Sequence, residues 1–95
     1  MEKFKVAHIR EQGVDLIIVP LNPEVGRKTE SEQSDIVDSL QICASSAGLA
    51  GTVVPVWDAG GGRMGFWAPR NYWPYFESIN LRFVLMNVNR ELTCG

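Results

Sequence analysis

The run Val14-Asp15-Leu16-Ile17-Ile18-Val19 constrains this chain more than any other segment, because five of its six residues are apolar. Successive side chains on a strand point to opposite faces, so a half-exposed strand alternates apolar with polar residues. A nearly continuous, β-branched run suits a strand covered on both faces or set at the centre of a sheet. Phe4 to Glu11 reads as a strand before it, and Gln12-Gly13 reads as the turn of a hairpin. Pro20 and Pro23 end the second strand, with Asn22 to Lys28 as a loop.

Helix signals begin at Thr29. Thr29-Glu30-Ser31-Glu32 fits a capping box, in which the threonine hydroxyl accepts from the N3 amide and Glu32 reaches back. Glu30, Glu32, Asp35 and Asp38 crowd the positive end of the helix dipole. Ile36, Val37, Leu40, Cys43, Ala44 and Ala47 form an apolar stripe. Gly48 stops the helix in a left-handed conformation, with Leu49 as the hydrophobic partner of the last turn.

Thr52 to Trp57 reads as a third strand whose Pro55 demands an edge, a bulge or a strand end. Arg63 to Ala68 reads as a fourth, joined to the third through the glycine loop 59–63. Ala68-Pro69-Arg70-Asn71 breaks the chain. A short helix from about Tyr72 to Ile79 follows, with Asn71 as N-cap and Pro74 in its first turn. Residues 81–88 are ambiguous. Leu81, Phe83 and Leu85 alternate as in a strand, while Ile79, Phe83 and Met86 share a helical face. Helix is the reading adopted, with Glu91 to Cys94 as a tail or short edge strand. The expected fold is one α+β domain over residues 1–95, in the order ββαββα. Its mostly antiparallel four-stranded sheet is built of two hairpins, with the long helix on one face and a C-terminal helical segment.

Of nine aromatic residues, eight fall between Trp57 and Phe83: Trp57, Phe66, Trp67, Tyr72, Trp73, Tyr75, Phe76 and Phe83. Tryptophan is the residue type most enriched at binding hot spots, so this stretch is the candidate functional surface. Phe66 and Trp67 are adjacent on a strand and must face opposite ways. One of them therefore lies on the sheet face away from the long helix, where a second copy of the chain is the expected cover. Arg63, Trp67, Arg70, Tyr72 and Trp73 are the candidate contact residues, with Trp57 and Phe66 assigned to the core. The alternative is a small-molecule binding protein or enzyme with a pocket beside the glycine loop 59–63. Arg63 and the loop amides would there hold a small anionic ligand, and Trp57 or Trp67 would stack on it. The glycine cluster lacks the lysine and following helix of a phosphate loop, so a hairpin turn is its plainer reading.

Composition narrows the function classes further. The net charge of −2 supplies no clustered basic face for a nucleic-acid backbone. Residues 1–46 carry five basic and eight acidic side chains, residues 47–95 four and three, giving −3 and +1. His8 is the lone histidine and reads as structural, without a serine or cysteine partner for catalysis. One histidine and two distant cysteines make no zinc set. No cofactor is expected, and a non-enzymatic module is the reading favoured over an enzyme. Asp58 and Arg63 are placed to pair across the hairpin. Met1-Glu2-Lys3-Phe4-Lys5 lacks a secretory core, and no run approaches the ~20 apolar residues of a membrane span. The cytoplasm is the default compartment, where thiols stay reduced. Cys43 then reads as a small core hydrophobe and Cys94 as a more exposed free thiol.

Gln41-Ile42-Cys43-Ala44-Ser45-Ser46-Ala47-Gly48-Leu49-Ala50-Gly51-Thr52-Val53-Val54-Pro55-Val56-Trp57, with the glycine loop and Phe66-Trp67-Ala68-Pro69 after it, resembles a group of small bacterial proteins. Some of these are carried on the mobile gene cassettes of integrons. The similarity runs from the opening hairpin to Leu92-Thr93-Cys94. It implies a bacterial cytosolic protein and brings no catalytic residues with it.

Overall fold

A computed structural model describes residues 2–94. Strands β1 (Glu2–Glu11) and β2 (Val14–Pro20) precede a 3-10 turn at Pro23–Arg27 and helix α1 (Glu30–Ser46). Strands β3 (Thr52–Gly60) and β4 (Arg63–Phe66) lead to a 3-10 turn at Arg70–Tyr72. Helices α2 (Trp73–Ser78) and α3 (Leu81–Met86) and strand β5 (Arg90–Cys94) complete the chain.

The molecule is α+β, and the expected four strands become five, in the spatial order β4-β3-β2-β1-β5. The element order is ββαββααβ rather than ββαββα, because residues 90–94 pair with β1 instead of trailing as a tail. The sheet is mixed. β1 runs antiparallel to β2 and to β5, β3 antiparallel to β4, and β2 parallel to β3. Helix length accounts for the parallel pair. α1 has 17 residues and so spans about 25 Å, a little more than the ~23 Å of seven-residue β2. The helix carries the chain back to the end where β2 began, so β3 sets out in the same direction. Gln41 of α1 fixes this start, its Nε2 donating to Gly51 O at 3.1 Å and its Oε1 accepting from Val53 N–H at 3.0 Å.

β2 is covered on both faces. Leu16, Ile17, Ile18 and Val19 are each at most 2% exposed. Ile17 and Val19 pack with Val6, Val53, Leu92, Leu40 and Ala44 beneath α1. Leu16 and Ile18 pack with Ala7, Val54, Val56, Phe76 and Val84 beneath α2 and α3. Full burial of such a side chain stabilises by about 1.5–3 kcal/mol, so this strand anchors two cores at once.

The helix signals hold in detail. Glu32 N–H donates to Thr29 Oγ1 at 3.2 Å, and Thr29 N–H donates to Glu32 Oε1 at 3.0 Å. At the other end Gly48 takes φ +81°, and Leu49 N–H donates to Ala44 O at 3.0 Å, the Schellman arrangement. Two expectations are corrected. Pro55 lies within an interior strand, at none of the edge, bulge or strand end expected. Its carbonyl accepts from Trp67 N–H just past the last residue of β4. Its missing donor therefore points to where the neighbouring ladder has stopped. The helix expected over 72–79 divides into the Arg70–Tyr72 turn and α2, with Pro74 tolerated in the first turn and no side-chain cap from Asn71.

The cysteines are not free. Cys43 of α1 and Cys94 of β5 form a disulfide with a Cα–Cα distance of 5.8 Å. The expectation of reduced thiols treats residues 91–94 as peripheral, whereas pairing with β1 brings Cys94 under the inner face of α1. The cytoplasmic default rests on the lack of a secretory core and of a membrane span, and the bridge runs against the reduced thiols expected in that compartment. Among the described residues no helix is long and apolar enough to cross a membrane.

The bridge joins positions 51 residues apart, and cross-linking a loop of that length is worth about 4 kcal/mol in the chain-entropy model. Cys94→Ser should lower the thermal midpoint by roughly 15–30 °C. Dithiothreitol should reproduce the shift in the wild type and leave the variant unmoved. The capping box makes a pH prediction. Hydrogen bonds from the Thr29 backbone and then its hydroxyl hold the Glu32 carboxyl below its ordinary value of 4.5. A lowered folded value means the contribution is complete above the unfolded value and fades as pH falls through the folded one. Glu32→Gln keeps an acceptor and removes the titration. Urea melts at stepped pH should show the wild-type advantage over E32Q shrinking below about pH 4.5.

Candidate functional site

The aromatic residues do not form one surface. β4 directs Met64 and Phe66 toward the α2–α3 layer, where Phe66 and Phe76 lie 5.4 Å apart between ring centroids. Trp67, half-buried, continues β4 with the opposite parity and belongs to neither core. The two rings therefore point opposite ways. The sheet face expected to need a second copy of the chain is covered by α2 and α3 of the same chain. Tyr72 and Tyr75 pack at the rim of that core. Burial first, and the Glu11 carboxylate second, push the Tyr75 phenol above its ordinary value.

Of the five candidate contact residues, the structure joins Arg70 to Trp73. The guanidinium carbon sits 5.5 Å from the centroid of the Trp73 ring, within cation–π range. Trp73 Nε1 donates to Ala68 O at 2.8 Å, which fixes the indole while leaving it 43% exposed. Tyr72 turns inward from the same segment. Arg63 stands exposed near the hairpin tip, four residues or about 13 Å of strand from Trp67.

The glycine loop is a hairpin turn. Gly60 pairs with Arg63 across a two-residue loop. Gly61 and Gly62 have φ +60° and +77°, the doubly positive pattern of a type I′ turn. Asp58 Oδ1 accepts from Gly60 N–H at 2.8 Å, so a carboxylate of the chain already caps the amide that an anion would use. The expected Asp58–Arg63 pair is absent. Among the described residues the ion pairs are Lys3–Glu91 and Arg10–Asp15.

Trp57 is the buried tryptophan, 7% exposed. It lies opposite Gly65 of β4 and against Gly26 of the Pro23–Arg27 turn. A Cβ on Gly26 would come 2.6 Å from Trp57 Nε1, and one on Gly65 would collide with the same atom. Both glycines are therefore clearance for one ring. Gln33 of α1 secures the turn, its Nε2 donating to Val25 O at 2.8 Å. Beside the ring a cleft of about 400 Å³ is lined by Pro23, Gly26, Arg27, Trp57, Asp58, Ala59 and Gly60.

The outer face of α3 is not legible in the sequence. The apolar grouping of Ile79, Phe83 and Met86 implies an inward stripe. Instead Asn80 starts a new helix, its side chain accepting from Phe83 N–H at 2.8 Å, and Val84 becomes the buried residue. Phe83, Leu85 and Met86 are left 39%, 52% and 75% exposed.

His8 is held by hydrogen bonds from its ring and its backbone. Its Nε2 lies 2.8 Å from Ala50 O, and Asn89 brackets its backbone by accepting from His8 N–H and donating to His8 O, both at 2.9 Å. Among the described residues no three His, Cys, Asp or Glu side chains gather as a metal set would. Comparison with protein-family models, with curated proteins and with solved structures yields no match to this chain.

Gly65→Ala should force the Trp57 ring from its seat, a change that overpacking of this kind makes destabilising by about 1–3 kcal/mol. Urea unfolding and the near-ultraviolet dichroism of the indoles measure it. An unchanged melt and spectrum would show that the ring is not confined there.

Proposed function

We propose that this protein is a non-catalytic interaction module that pairs with a second copy of itself through the outer surface of the α2–α3 layer. The supporting observation is α3. Among its six residues, Val84 is buried and Leu81 half-buried, while Phe83, Leu85 and Met86 point outward. A helix that carries apolar residues on its outer side as well as its inner one is normally covered, and exposed apolar surface of this kind marks an interaction site. Trp73, stacked with Arg70 in the same layer, adds an aromatic and an arginine, both hot-spot residue types.

A second copy fits this surface because its charges are self-complementary. Exposed Glu77 of α2 and Arg82 of α3 are opposite in sign. In a two-fold interface each residue meets its counterpart's neighbour, so Glu77 of one copy can face Arg82 of the other. The sequence centres this interface on the β3–β4 hairpin and the helix after it. The surface proposed here keeps Arg70 and Trp73, adds α3, and leaves out Arg63, Trp67 and Tyr72.

Light scattering on a sizing column tests the reading. The wild type at high concentration should run at twice the chain mass, and the double variant Leu85→Glu/Met86→Glu should run as a monomer with unchanged far-ultraviolet dichroism. A monomeric wild type, or a dimeric double variant, would overturn it.

A further inference from the structure

From the cleft between the Pro23–Arg27 turn and the end of β3, we infer a binding site for a small zwitterion of the amino-acid type. The first observation is Trp57. An indole N–H taken into a protein interior normally finds an acceptor, as Trp73 Nε1 does at Ala68 O. Trp57 is more than nine-tenths buried, yet its Nε1 meets no acceptor among the described residues, and it is not sealed from solvent. Nε1 lies between the bare backbones of Gly26 and Gly65, and Gly26 lines the cleft together with Trp57.

The second observation is charge. Arg27 and Asp58 both line this cleft, and neither takes part in the ion pairs of the described residues. Asp58 uses Oδ1 to cap Gly60, which leaves Oδ2 free to accept. A simple anion would meet the Asp58 carboxylate, and a simple cation would meet the Arg27 guanidinium. A molecule carrying both charges satisfies both. Its carboxylate accepts from Trp57 Nε1 and Arg27, and its ammonium donates to Asp58. Such charge-assisted bonds are stronger than neutral ones. The volume of about 400 Å³ falls in the usual range for small-molecule sites. Gly26, Ala59 and Gly60 keep the walls low. Pro23 and the Trp57 ring supply apolar surface for a short side chain.

The test is a titration of the free α-amino acids, one at a time, followed by the Trp57 indole signal in nitrogen–proton correlation spectra. Trp57→Phe identifies that signal. At least one amino acid should shift it saturably at millimolar concentration, while acetate and methylamine should not. Arg27→Gln and Asp58→Asn should each weaken binding about tenfold or more. The fold should stay intact in D58N, because the amide oxygen of the new side chain can still accept from Gly60 N–H. No saturable shift from any amino acid would overturn the site. A shift by acetate equal to that of the amino acids, indifferent to D58N, would overturn its bipolar character.

Discussion

The double burial of β2 is the constraint on which the remaining structure depends. Ile17 and Val19 on one face, and Leu16 and Ile18 on the other, are all withdrawn from water. Alternation of side chains means that no single layer of helix can achieve this. α1 covers one face, and its length returns the chain so that β3 must run parallel to β2. The other face is closed by residues that arrive late in the sequence, Phe76 of α2 and Val84 of α3. Both faces of the sheet are thereby occupied by the chain itself. What the fold leaves open to other molecules is therefore the outer sides of the helices and the ends of the strands.

Local chemistry is the legible part of this fold. The capping box of Thr29 and Glu32, the stop at Gly48, the hairpin turns and the buried run of β2 each depend on residues within a few positions of one another. What depends on distant partners is not legible. The parallel pairing of β3 follows from where a helix ends in space, and β5 exists because β1 offers an edge to residues 90–94. Pro55 illustrates the difference. Its lack of an N–H points to an edge strand, but the cost of a missing donor depends on whether a partner stands opposite. Here β4 has already ended.

The candidate site is legible in its materials and not in its arrangement. The opposed directions of Phe66 and Trp67 follow from strand parity alone. A need for a second chain over that face does not follow, because α2 returns over it and seats Phe76 against Phe66. The surplus of apolar surface moves outward by one layer, to α3. The same dependence on distant contacts hides the Cys43–Cys94 bridge. A thiol on the inner stripe of α1 and another on the terminal strand meet only after β5 has joined the sheet. Once formed, the bridge ties the last strand to the helix above it.

The three tryptophans separate into distinct physical situations, and the separation explains why one aromatic-rich stretch can serve more than one surface. Trp73 has its N–H satisfied within its own segment and its ring face against Arg70, so what it presents outward is apolar area. Trp67 closes the end of β4 and presents little. Trp57 is the reverse of Trp73. Its ring is enclosed between Gly26 and Gly65, and the one polar atom of its side chain is left without a partner among the described residues. Apolar area favours a broad contact with another protein surface, whereas a lone directed donor in a cleft favours a small molecule with a matching acceptor. The two surfaces stand on different elements, α2–α3 and the β3 end with the Pro23–Arg27 turn. Since the side chains they rely on are not shared, occupation of one leaves the other chemically complete.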